Sequence, residues 1–211
     1  MQITWRGQTC FTIKSKNNGK ETLLVINPFD PQKTGIKLKS LRPDIVLLSH
    51  NNFEYKNSKT EYFLINTPGE FEIKNIFIQG IPSPASKQNK KSNIIFIIES
   101  EGINIAHLGE LGELLETEQL DKMKNIDILM VPVGGGRYLN SSQAIEIINQ
   151  IDPRIIIPMQ YHLPGLKEKL DKIEKFSQEI GISASKPVDK INISKNKLPH
   201  EGREIIIMNK K

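Results

Sequence analysis

Several features are scarce in this chain of 211 residues. It has a single cysteine, Cys10, so no disulfide can form within the chain, and the apolar neighbours of Cys10 favour a buried thiol over a nucleophile. No apolar stretch approaches the roughly 20 residues that cross a bilayer, and residues 1–7 carry no apolar leader segment. A disulfide scaffold and a transmembrane protein are therefore excluded, and we expect a cytoplasmic protein.

Aromatic residues are also few, at 6% of the chain, and this limits what the positive charge can mean. The formal net charge is +5, but the lysines are spread along the sequence among Asn and Ile residues. The densest basic stretches, residues 87–91 and 195–197, contain no aromatic residue on which a base could stack. We therefore expect a small molecule or a protein as partner, rather than nucleic acid or a membrane.

The order of the predicted elements indicates an α/β fold. No linker rich in Ser, Pro and Gly divides the chain, so residues 1–211 are expected to form a single domain. Strands dominate the first half, and strands alternate with helices in the second, which favours two mixed sheets packed face to face with helices outside. Helices are predicted at residues 117–124, 141–149 and 166–180, the last being the longest and ending at Gly181. Strands are predicted at residues 2–5, 10–14, 22–26, 44–49, 62–66, 76–79, 93–99, 103–107, 128–131, 155–157, 191–193 and 204–208.

The segment after the predicted strand 44–49 has the frame of a metal-binding loop. A strand that ends in H-x-H-x-D-H presents three imidazoles and a carboxylate to a pair of metal ions. Here the segment begins with Ser49 and His50, but Asn52, Glu54 and Tyr55 stand in place of the second histidine, the aspartate and the third histidine. The loop therefore keeps one of these four ligands.

Seven short motifs occur in an order that resembles the small metallo-β-lactamase-fold hydrolases, also called Zn-dependent hydrolases of the β-lactamase fold. They span the chain from Trp5 to about Pro199, and the resemblance implies an αββα sandwich. The motifs are Trp5–Phe11 (similar to W-x-G-H-S-C-F), Asn27-Pro28 (D-P), Ser49-His50, Pro68–Ile73 (P-G-E-Y-E), His107–Gly112 (H-L-G-D-L-G), Val131–Gly135 (V-P-V-G-G) and Ile157–Tyr161 (I-P-M-H-Y).

The resemblance also implies a dinuclear zinc site, whose metals would supply hydroxide at neutral pH. His50 matches a ligand position of the family, and Glu110 stands where the family has its bridging aspartate. Most other positions of the site carry residues that are poor zinc ligands or none at all. These positions are Gln8, Asn52, Glu54, Tyr55, Ala85 and Gln160.

Three interpretations of these replacements remain open. In the first, which we prefer, no metal is bound and polar side chains fill the cavity with a hydrogen-bonded network, because an unsatisfied buried polar group costs roughly 1 to 3 kcal/mol. In the second, Glu54, Glu110, Asn52 and Gln160 with His50 bind a hard cation such as Mg²⁺, Mn²⁺ or Ca²⁺. In the third, zinc is retained.

Other residues near these motifs have structural and functional interpretations. His107 and His162 are possible compensating ligands, although a hydrogen-bonded role for His107 is favoured. The loop of three glycines at 134–136 with Arg137 could cradle an anion, but glycine is common where a strand leads into a helix. Glu70 and Glu72 could act as an acid and a base, but they flank a turn motif of the family, which favours an architectural role.

Two classes of function follow. The first is a non-catalytic member of the fold that uses its former cleft, or another surface, to bind a small molecule or a protein. The second is a metal-dependent hydrolase of a phosphoester, lactone or amide, with His50 and Glu110 as remaining ligands. The count of retained ligands favours the first. A chain of 211 residues leaves no room for the additional domain that RNA-processing nucleases of this fold carry.

Overall fold

The computed structural model describes residues 1–17, 19–50, 61–84, 92–181 and 186–211. Within these ranges the chain forms two mixed sheets, with helices between the later strands. The fold class that the sequence predicts is therefore confirmed. No helix among the described residues is both long enough and apolar enough to cross a membrane.

The first sheet joins the N-terminal strands to a strand from near the C-terminus. In spatial order, the first four strands pair antiparallel with one another, and the last three, which include the fourth, pair parallel. Its outermost pair joins Gln2 to Asn192 across almost the whole chain. In spatial order the strands are β12 (Ile191–Asn192), β1 (Gln2–Gly7), β2 (Cys10–Asn17), β3 (Lys20–Ile26), β4 (Ile45–Leu47) and β5 (Phe63–Ile65).

The second sheet is antiparallel at one end and parallel at the other. Two of its parallel strands are buried at every residue, as expected for strands that are covered on both faces. Their runs of Ile, Leu, Met and Val fit such strands. In spatial order the strands are β13 (Glu204–Ile205), β11 (Ile155–Met159), β10 (Ile128–Pro132), β9 (Ile103–His107), β8 (Ser92–Ser100), β7 (Ile76–Pro84) and β6 (Gly69–Ile73).

The buried apolar side chains of both sheets form one hydrophobic cluster, which fixes the sheets relative to each other. Its largest fully buried side chains are Trp5, Phe11, Phe96 and Phe176. Burying an aliphatic or aromatic side chain of this kind contributes roughly 1.5 to 3 kcal/mol. Cys10 is also fully buried, and this burial raises the pKa of its thiol, as expected for an unreactive cysteine.

Four helices lie within the described residues: α1 (Pro31–Thr34), α2 (Thr117–Lys122), α3 (Ser141–Ile151) and α4 (Ile173–Glu179). The sequence did not predict α1, which is a single turn capped by Asp30. Helix α3 begins where predicted: the Asn140 side chain accepts from the Gln143 backbone N–H, and the Gln143 side chain accepts from the Asn140 backbone N–H. This capping box satisfies two backbone donors at the helix N-terminus.

The predicted helix over residues 166–180 is wrong for its first half. Only α4 is helical, so α3 and not this segment is the longest helix among the described residues. The preceding residues use their backbone groups for tertiary hydrogen bonds instead: Lys167 N donates to Thr34 O, and Asp171 N donates to Gly134 O. Gly181, with φ of 76°, does follow the helix, as expected for a residue that ends a helix in the left-handed conformation.

The turn motif that contains Glu70 and Glu72 is largely a strand. Strand β6 already begins at Gly69 and pairs with β7, so Glu70 lies opposite Gln79 in an antiparallel ladder. Gln79 Nε2 donates to Glu70 Oε1 at 3.1 Å, and both side chains are exposed at this contact. The structure gives Glu70 an architectural environment at a sheet edge.

Candidate functional site

A cavity of about 510 Å³ lies where the loops after β3, β4, β9, β10 and β11 meet the turn between β1 and β2. Ligands commonly bind outside the carboxyl ends of parallel strands, and this cavity is in that position. The residues that line the cavity include both positively and negatively charged side chains. The lining residues are Gln8, Thr9, Asn27, Pro28, Phe29, Asp30, Lys33, Thr34, His50, Glu110, Arg137, Tyr138, Gln160, Leu166, Lys167 and Glu168.

We call the buried hydrogen-bonded group beneath this cavity the floor; it consists of Thr9, Asn27, Ser49, Asn93, His107 and Gly109. His107 is fully buried at the end of β9. Its Nε2 donates to Thr9 O at 2.9 Å, and its Nδ1 accepts from Gly109 N at 3.1 Å. Burial lowers the pKa of His107 to about 4, so the ring is neutral at physiological pH. Both ring nitrogens of His107 thus have partners within the protein, which fits the hydrogen-bonded role that the sequence favours for it.

Asn93 fixes the loop that carries Glu110. Its Nδ2 donates to Ser83 Oγ at 2.8 Å and to Leu108 O at 2.9 Å, while its Oδ1 accepts from Glu110 N at 2.8 Å. Gly109 has φ of 63°, and a Cβ there would lie 2.2 Å from Asn93 Oδ1. Glycine is therefore required at this position both for its backbone conformation and for the close approach.

Asn27 and Ser49 connect the ends of β3 and β4. Asn27 Oδ1 accepts from Ser49 N at 2.8 Å, and Asn27 Nδ2 donates to Ser49 Oγ at 2.8 Å and to Thr9 Oγ1 at 3.2 Å. Every donor and acceptor group of the Asn27 amide is thus used within the floor. Ser49 Oγ in turn lies 3.0 Å from His50 Nδ1 and fixes the direction of the ring.

His50 and Glu110 lie side by side in the lining of the cavity, and His50 Nε2 is 3.5 Å from Glu110 Oε1. Ser49, His50 and Glu110 together are the residue types of a serine-hydrolase triad, so the accessibility of Ser49 decides whether it could act as a nucleophile. In such a triad the serine oxygen must reach the substrate. Ser49 is only 1% exposed, is absent from the cavity lining and accepts a hydrogen bond from Asn27. The geometry therefore excludes Ser49 as a nucleophile.

Arg137 places a permanent positive charge beside Glu110. Its Nη2 lies 4.0 Å from Glu110 Oε1, the same oxygen that faces His50, and its Nε lies 3.0 Å from Glu168 Oε1. Arg137 Nε also donates to the Tyr138 hydroxyl at 2.8 Å, and that hydroxyl donates to Glu168 Oε2 at 3.1 Å. Burial alone would lower the pKa of Arg137, but Tyr138 and the two carboxylates outweigh it and raise the pKa. The guanidinium is therefore charged at every physiological pH.

Gln8 and Gln160 also line the cavity. Both have positive φ, of 54° in each case, which is uncommon for a residue with a side chain and is concentrated at functional sites in proteins. Gln160 N donates to Gln8 O at 3.3 Å, and Trp5 Nε1 donates to the same oxygen at 2.8 Å. We call the side chains of Gln8, His50, Glu110, Arg137 and Gln160 the wall.

Gln160 contains a buried polar atom without a partner. The residue is 2% exposed, and its Oε1 accepts no hydrogen bond within the described ranges of the chain. A buried acceptor in this state costs roughly 1 to 3 kcal/mol. Such an atom calls for an explanation, for example a bound group that donates to it.

The sequence-predicted site residues divide into four groups, the first of which is His107 alone, buried in the floor. The structure brings Gln8, His50, Glu110 and Gln160 to one cavity. His162 is exposed and does not line this cavity, so the structure does not bring it to the site as a compensating ligand. The remaining predicted positions lie outside the described residues; they are Asn52, Glu54, Tyr55 and Ala85.

The sequence does not indicate two ion pairs at the cavity, those of Arg137 with Glu110 and with Glu168. Arg137 was considered only as part of an anion cradle, whereas its guanidinium contacts carboxylates. Glu168 was placed in a helix, and no sequence pattern connects it with Arg137, which is more than thirty residues away. The only available signal was the glycine loop 134–136, which lets Arg137 follow β10 directly into the cavity.

Within the described ranges, the wall contributes two side chains of the types that bind zinc, His50 and Glu110. In the parts of the chain that the structure describes, no three His, Cys, Asp or Glu side chains converge as metal ligands would. Zinc in proteins is bound by thiolate, imidazole and carboxylate, and Gln8 and Gln160 offer neutral amides instead. The Arg137 guanidinium beside Glu110 also repels a divalent cation at the carboxylate where the family has its bridging ligand.

Comparisons with known proteins agree with the fold. A family model described as a beta-lactamase superfamily domain matches residues 2–160. A metal-dependent hydrolase from Thermoplasma acidophilum is 25% identical over 192 residues, which cover 77% of this chain and 84% of the relative. A metal-dependent hydrolase from Archaeoglobus fulgidus is 21% identical over 208 residues, covering 80% and 87%.

Solved structures give the same result. A candidate Zn-dependent hydrolase of the metallo-β-lactamase superfamily from Thermotoga maritima is similar with a TM-score of 0.81 and 29% identity, covering 98% of this chain and 97% of that one. A metallo hydrolase from Ignicoccus hospitalis has a TM-score of 0.65 at 16% identity, covering 90% and 97%, and shows the fold alone. The family resemblance is thus confirmed, whereas the names of these relatives give no support to the expectation that the chain binds no metal.

Proposed function

This chain belongs to the β-lactamase superfamily, and we propose that it is a non-catalytic member, because the described part of its wall offers few metal ligands and places a guanidinium beside one of them. In this proposal the cavity is a binding site for a small polar molecule. The observation that carries the proposal is the position of Glu110 Oε1 between His50 Nε2, at 3.5 Å, and Arg137 Nη2, at 4.0 Å. A protein cation adjoins the carboxylate at which a metal would be bound.

The protonation of His50 also supports the proposal. Ser49 Oγ already accepts from Asn27 Nδ2, which favours donation of the Ser49 proton to His50 Nδ1. His50 Nε2 then carries its proton towards Glu110, and a protonated nitrogen has no lone pair for a metal ion. In this tautomer His50 donates to Glu110 and positions its carboxylate.

The rigid floor suits a binding role. His107, Asn93 and Asn27 use their side chains to fix three of the five segments that present the wall, namely those that carry Gln8, His50 and Glu110. A site whose supporting groups are fixed before the ligand arrives loses less conformational entropy on binding. The floor therefore gives the cavity a fixed shape, which a binding site needs as much as an active site does.

The proposal is tested by metal content together with thermal unfolding. We expect the purified protein to contain far less than one equivalent of zinc, manganese or iron by elemental analysis. Addition of Zn²⁺, Mn²⁺ or Mg²⁺ should not raise the unfolding temperature, because only a ligand that binds the native state stabilises it. His50→Ala and, as a matched control, the exposed His200→Ala should behave like the parent protein in both measurements.

The alternative is a metal-dependent hydrolase of a phosphoester, lactone or amide with a reduced or oxygen-rich site. The names of the relatives favour it, and His50, Glu110 and Gln160 Oε1 would be its ligands from the wall. Stoichiometric metal that is lost in His50→Ala but kept in His200→Ala, with phosphodiesterase or esterase activity lost in parallel, would establish this alternative and overturn the proposal.

A further inference from the structure

One side of the cavity is formed by a short segment that contributes little to the hydrophobic core. We call residues 163–170 the strap. They follow β11 without forming a helix or a strand, and none of them is buried. Leu166, Lys167 and Glu168 of the strap line the cavity. Segments with few buried side chains have low local stability, so the strap is suited to open while the sheets stay folded.

Backbone hydrogen bonds close the strap at its base. His162 N donates to Asp171 O at 2.9 Å, so the residues on either side of the strap are joined directly. Asp171 N donates to Gly134 O at 2.8 Å and fastens this base to the loop after β10. A compact loop whose ends meet in this way is a structural unit of its own. The strap can therefore move while its two ends stay in place.

Among the described residues, two sets of contacts hold the strap in place, and the first is with α1. Lys167 N donates to Thr34 O at 2.9 Å, and Lys167 Nζ donates to Gln32 O at 2.7 Å. The backbones approach closely there, since a Cβ at Gly35 would lie 2.4 Å from Gly165 O. Opening of the strap has to break the hydrogen bond between Lys167 and Thr34, whereas the base keeps its own.

The second set of contacts is made by the carboxylate of Glu168, and we call it the latch. Glu168 Oε1 lies 3.0 Å from Arg137 Nε, and Glu168 Oε2 accepts from the Tyr138 hydroxyl at 3.1 Å. Tyr138 is only 3% exposed, so the latch fastens the strap to a buried side chain. The side chains of Arg137 and Glu168 are 37% and 32% exposed, so dissolved salt can screen this ion pair.

We propose that the strap is a gate of the cavity, which the latch holds closed and which opens without unfolding of the sheets. This inference goes beyond the proposed function and does not depend on it, because a binding protein and a hydrolase both need a route into the cavity. In the open state the strap leaves α1 and the loop after β10, which removes three lining residues from one side of the cavity. Loops that close over a site commonly control entry and release in this way.

Amide hydrogen exchange, followed residue by residue by NMR, tests whether the strap opens by itself. The amides of Lys167 and Asp171 each donate to a backbone oxygen at similar distance, 2.9 and 2.8 Å. The Lys167 amide should nevertheless be protected at least about tenfold less, because opening exposes it and leaves Asp171 bonded to Gly134. Equal protection of the two amides would overturn the gate.

Glu168→Gln tests the latch, since it keeps the length of the side chain and removes its charge. Protection of the Lys167 amide should fall by about fivefold, as expected for a partly exposed ion pair, while protection of Asp171 stays the same. About 1 M NaCl should weaken protection of Lys167 in the parent protein but have little further effect in Glu168→Gln. The matched control, Glu118→Gln, removes an ion pair with Lys122 on α2 and should leave the strap unchanged. Unchanged protection of Lys167 in Glu168→Gln would show that the latch does not hold the gate.

Labelling of a cysteine in the cavity tests entry. Gln8 lines the cavity and is 7% exposed, so Gln8→Cys places a thiol there, while the parent protein with its fully buried Cys10 gives the background rate. The uncharged reagent N-ethylmaleimide should modify this thiol about fivefold faster when Glu168→Gln is added, and at the same rate when Glu118→Gln is added. Equal rates in the two double variants would mean that the strap does not control entry, which overturns the gate.

The gate and the non-catalytic function fail independently. Thermal unfolding identifies a variant that does not fold, and the comparison of Lys167 with Asp171 in the parent protein then decides alone. Exchange and labelling rates overturn the gate and leave the non-catalytic function standing. Stoichiometric metal overturns that function and leaves the gate standing.

Discussion

The floor and the wall of the cavity are both polar, but they use their polar groups in opposite ways. In the floor, Asn27 and His107 have every side-chain donor and acceptor group paired within the protein. In the wall, Gln160 Oε1 has no partner among the described residues. The floor therefore contributes to stability, whereas the wall keeps a local energetic cost of the kind found at binding sites. Substitutions in the two regions should have correspondingly different effects.

The largest expected effect is that of Gly109→Ala in the floor. A Cβ at this position, where φ is 63°, would lie 2.2 Å from Asn93 Oδ1 and 2.8 Å from Ser49 Oγ. The free energy of unfolding, measured by urea denaturation, should fall by about 3 kcal/mol or more. The control is Gly202→Ala, whose φ is 72° but whose Cβ would meet nothing within 4 Å; it should lose only about 1 kcal/mol. Equal losses would mean that the floor is not tightly packed.

The next effect is a pH dependence that arises from His107. Because burial lowers its pKa from 6.5 to about 4, the unfolded chain binds a proton between these values while the folded chain does not. The contribution is present in full above pH 6.5, and stability should fall by about 1.4 kcal/mol per unit as the pH decreases towards 4. Denaturation at pH 7, 6 and 5 measures this slope.

Two variants isolate the source of the slope. His107→Gln can still donate and accept a hydrogen bond but does not titrate, so the slope should become shallower in this variant. The exposed His200→Gln should keep the slope of the parent protein. A slope that is unchanged in His107→Gln would contradict the assignment to the floor.

A smaller effect concerns the charge of the wall. Arg137→Met removes the cation beside Glu110 and Glu168, so a divalent ion no longer meets a fixed positive charge. Binding of Mn²⁺, followed by calorimetry, should become at least about tenfold tighter, because a unit charge about 4 Å from a divalent ion costs roughly 2 kcal/mol even at the dielectric constant of water. Arg203→Met, which removes a similar ion pair with Asp152 far from the cavity, is the control. Unchanged Mn²⁺ affinity in Arg137→Met would remove the electrostatic argument against metal.

The smallest effect is expected outside both regions, at Glu70. This residue is exposed at the edge of the second sheet, and its Oε1 accepts one hydrogen bond from Gln79. Glu70→Gln should change the free energy of unfolding, measured by urea denaturation, by less than about 0.5 kcal/mol. A loss of more than about 1 kcal/mol would mean that this edge contact contributes as much as a buried one.

Local patterns predicted most of the fold. Runs of β-branched residues predicted the buried strands, and Asn140 predicted the start of α3. The segment 166–180 misled the prediction because its apolar spacing suits a helix, while the hydrogen bonds that decide its structure come from Thr34 and Gly134, far away in the sequence. Periodicity reports which residues are apolar, but it does not report competition for backbone groups.

The sequence predicted those residues of the candidate site that belong to family motifs. It did not predict residues whose position depends on a contact between distant side chains. Gln8, His50, Glu110 and Gln160 belong to motifs that the fold brings together, and all four line the cavity. The pairing of Arg137 with Glu168 depends on a loop conformation with positive φ at Gly135 and Gly136, which composition does not reveal. The tautomer of His50 depends likewise on a hydrogen bond to Ser49 that only coordinates can supply.

The pairing of Gln2 with Asn192 has a consequence for synthesis of the chain. The outer neighbour of β1 is synthesised 190 residues later, so the first sheet stays incomplete while the residues between them are made. Contacts of such sequence separation slow folding, and until β12 arrives β1 exposes an unpaired edge to other nascent chains. Producing cells should therefore recover more native protein when chaperones are abundant.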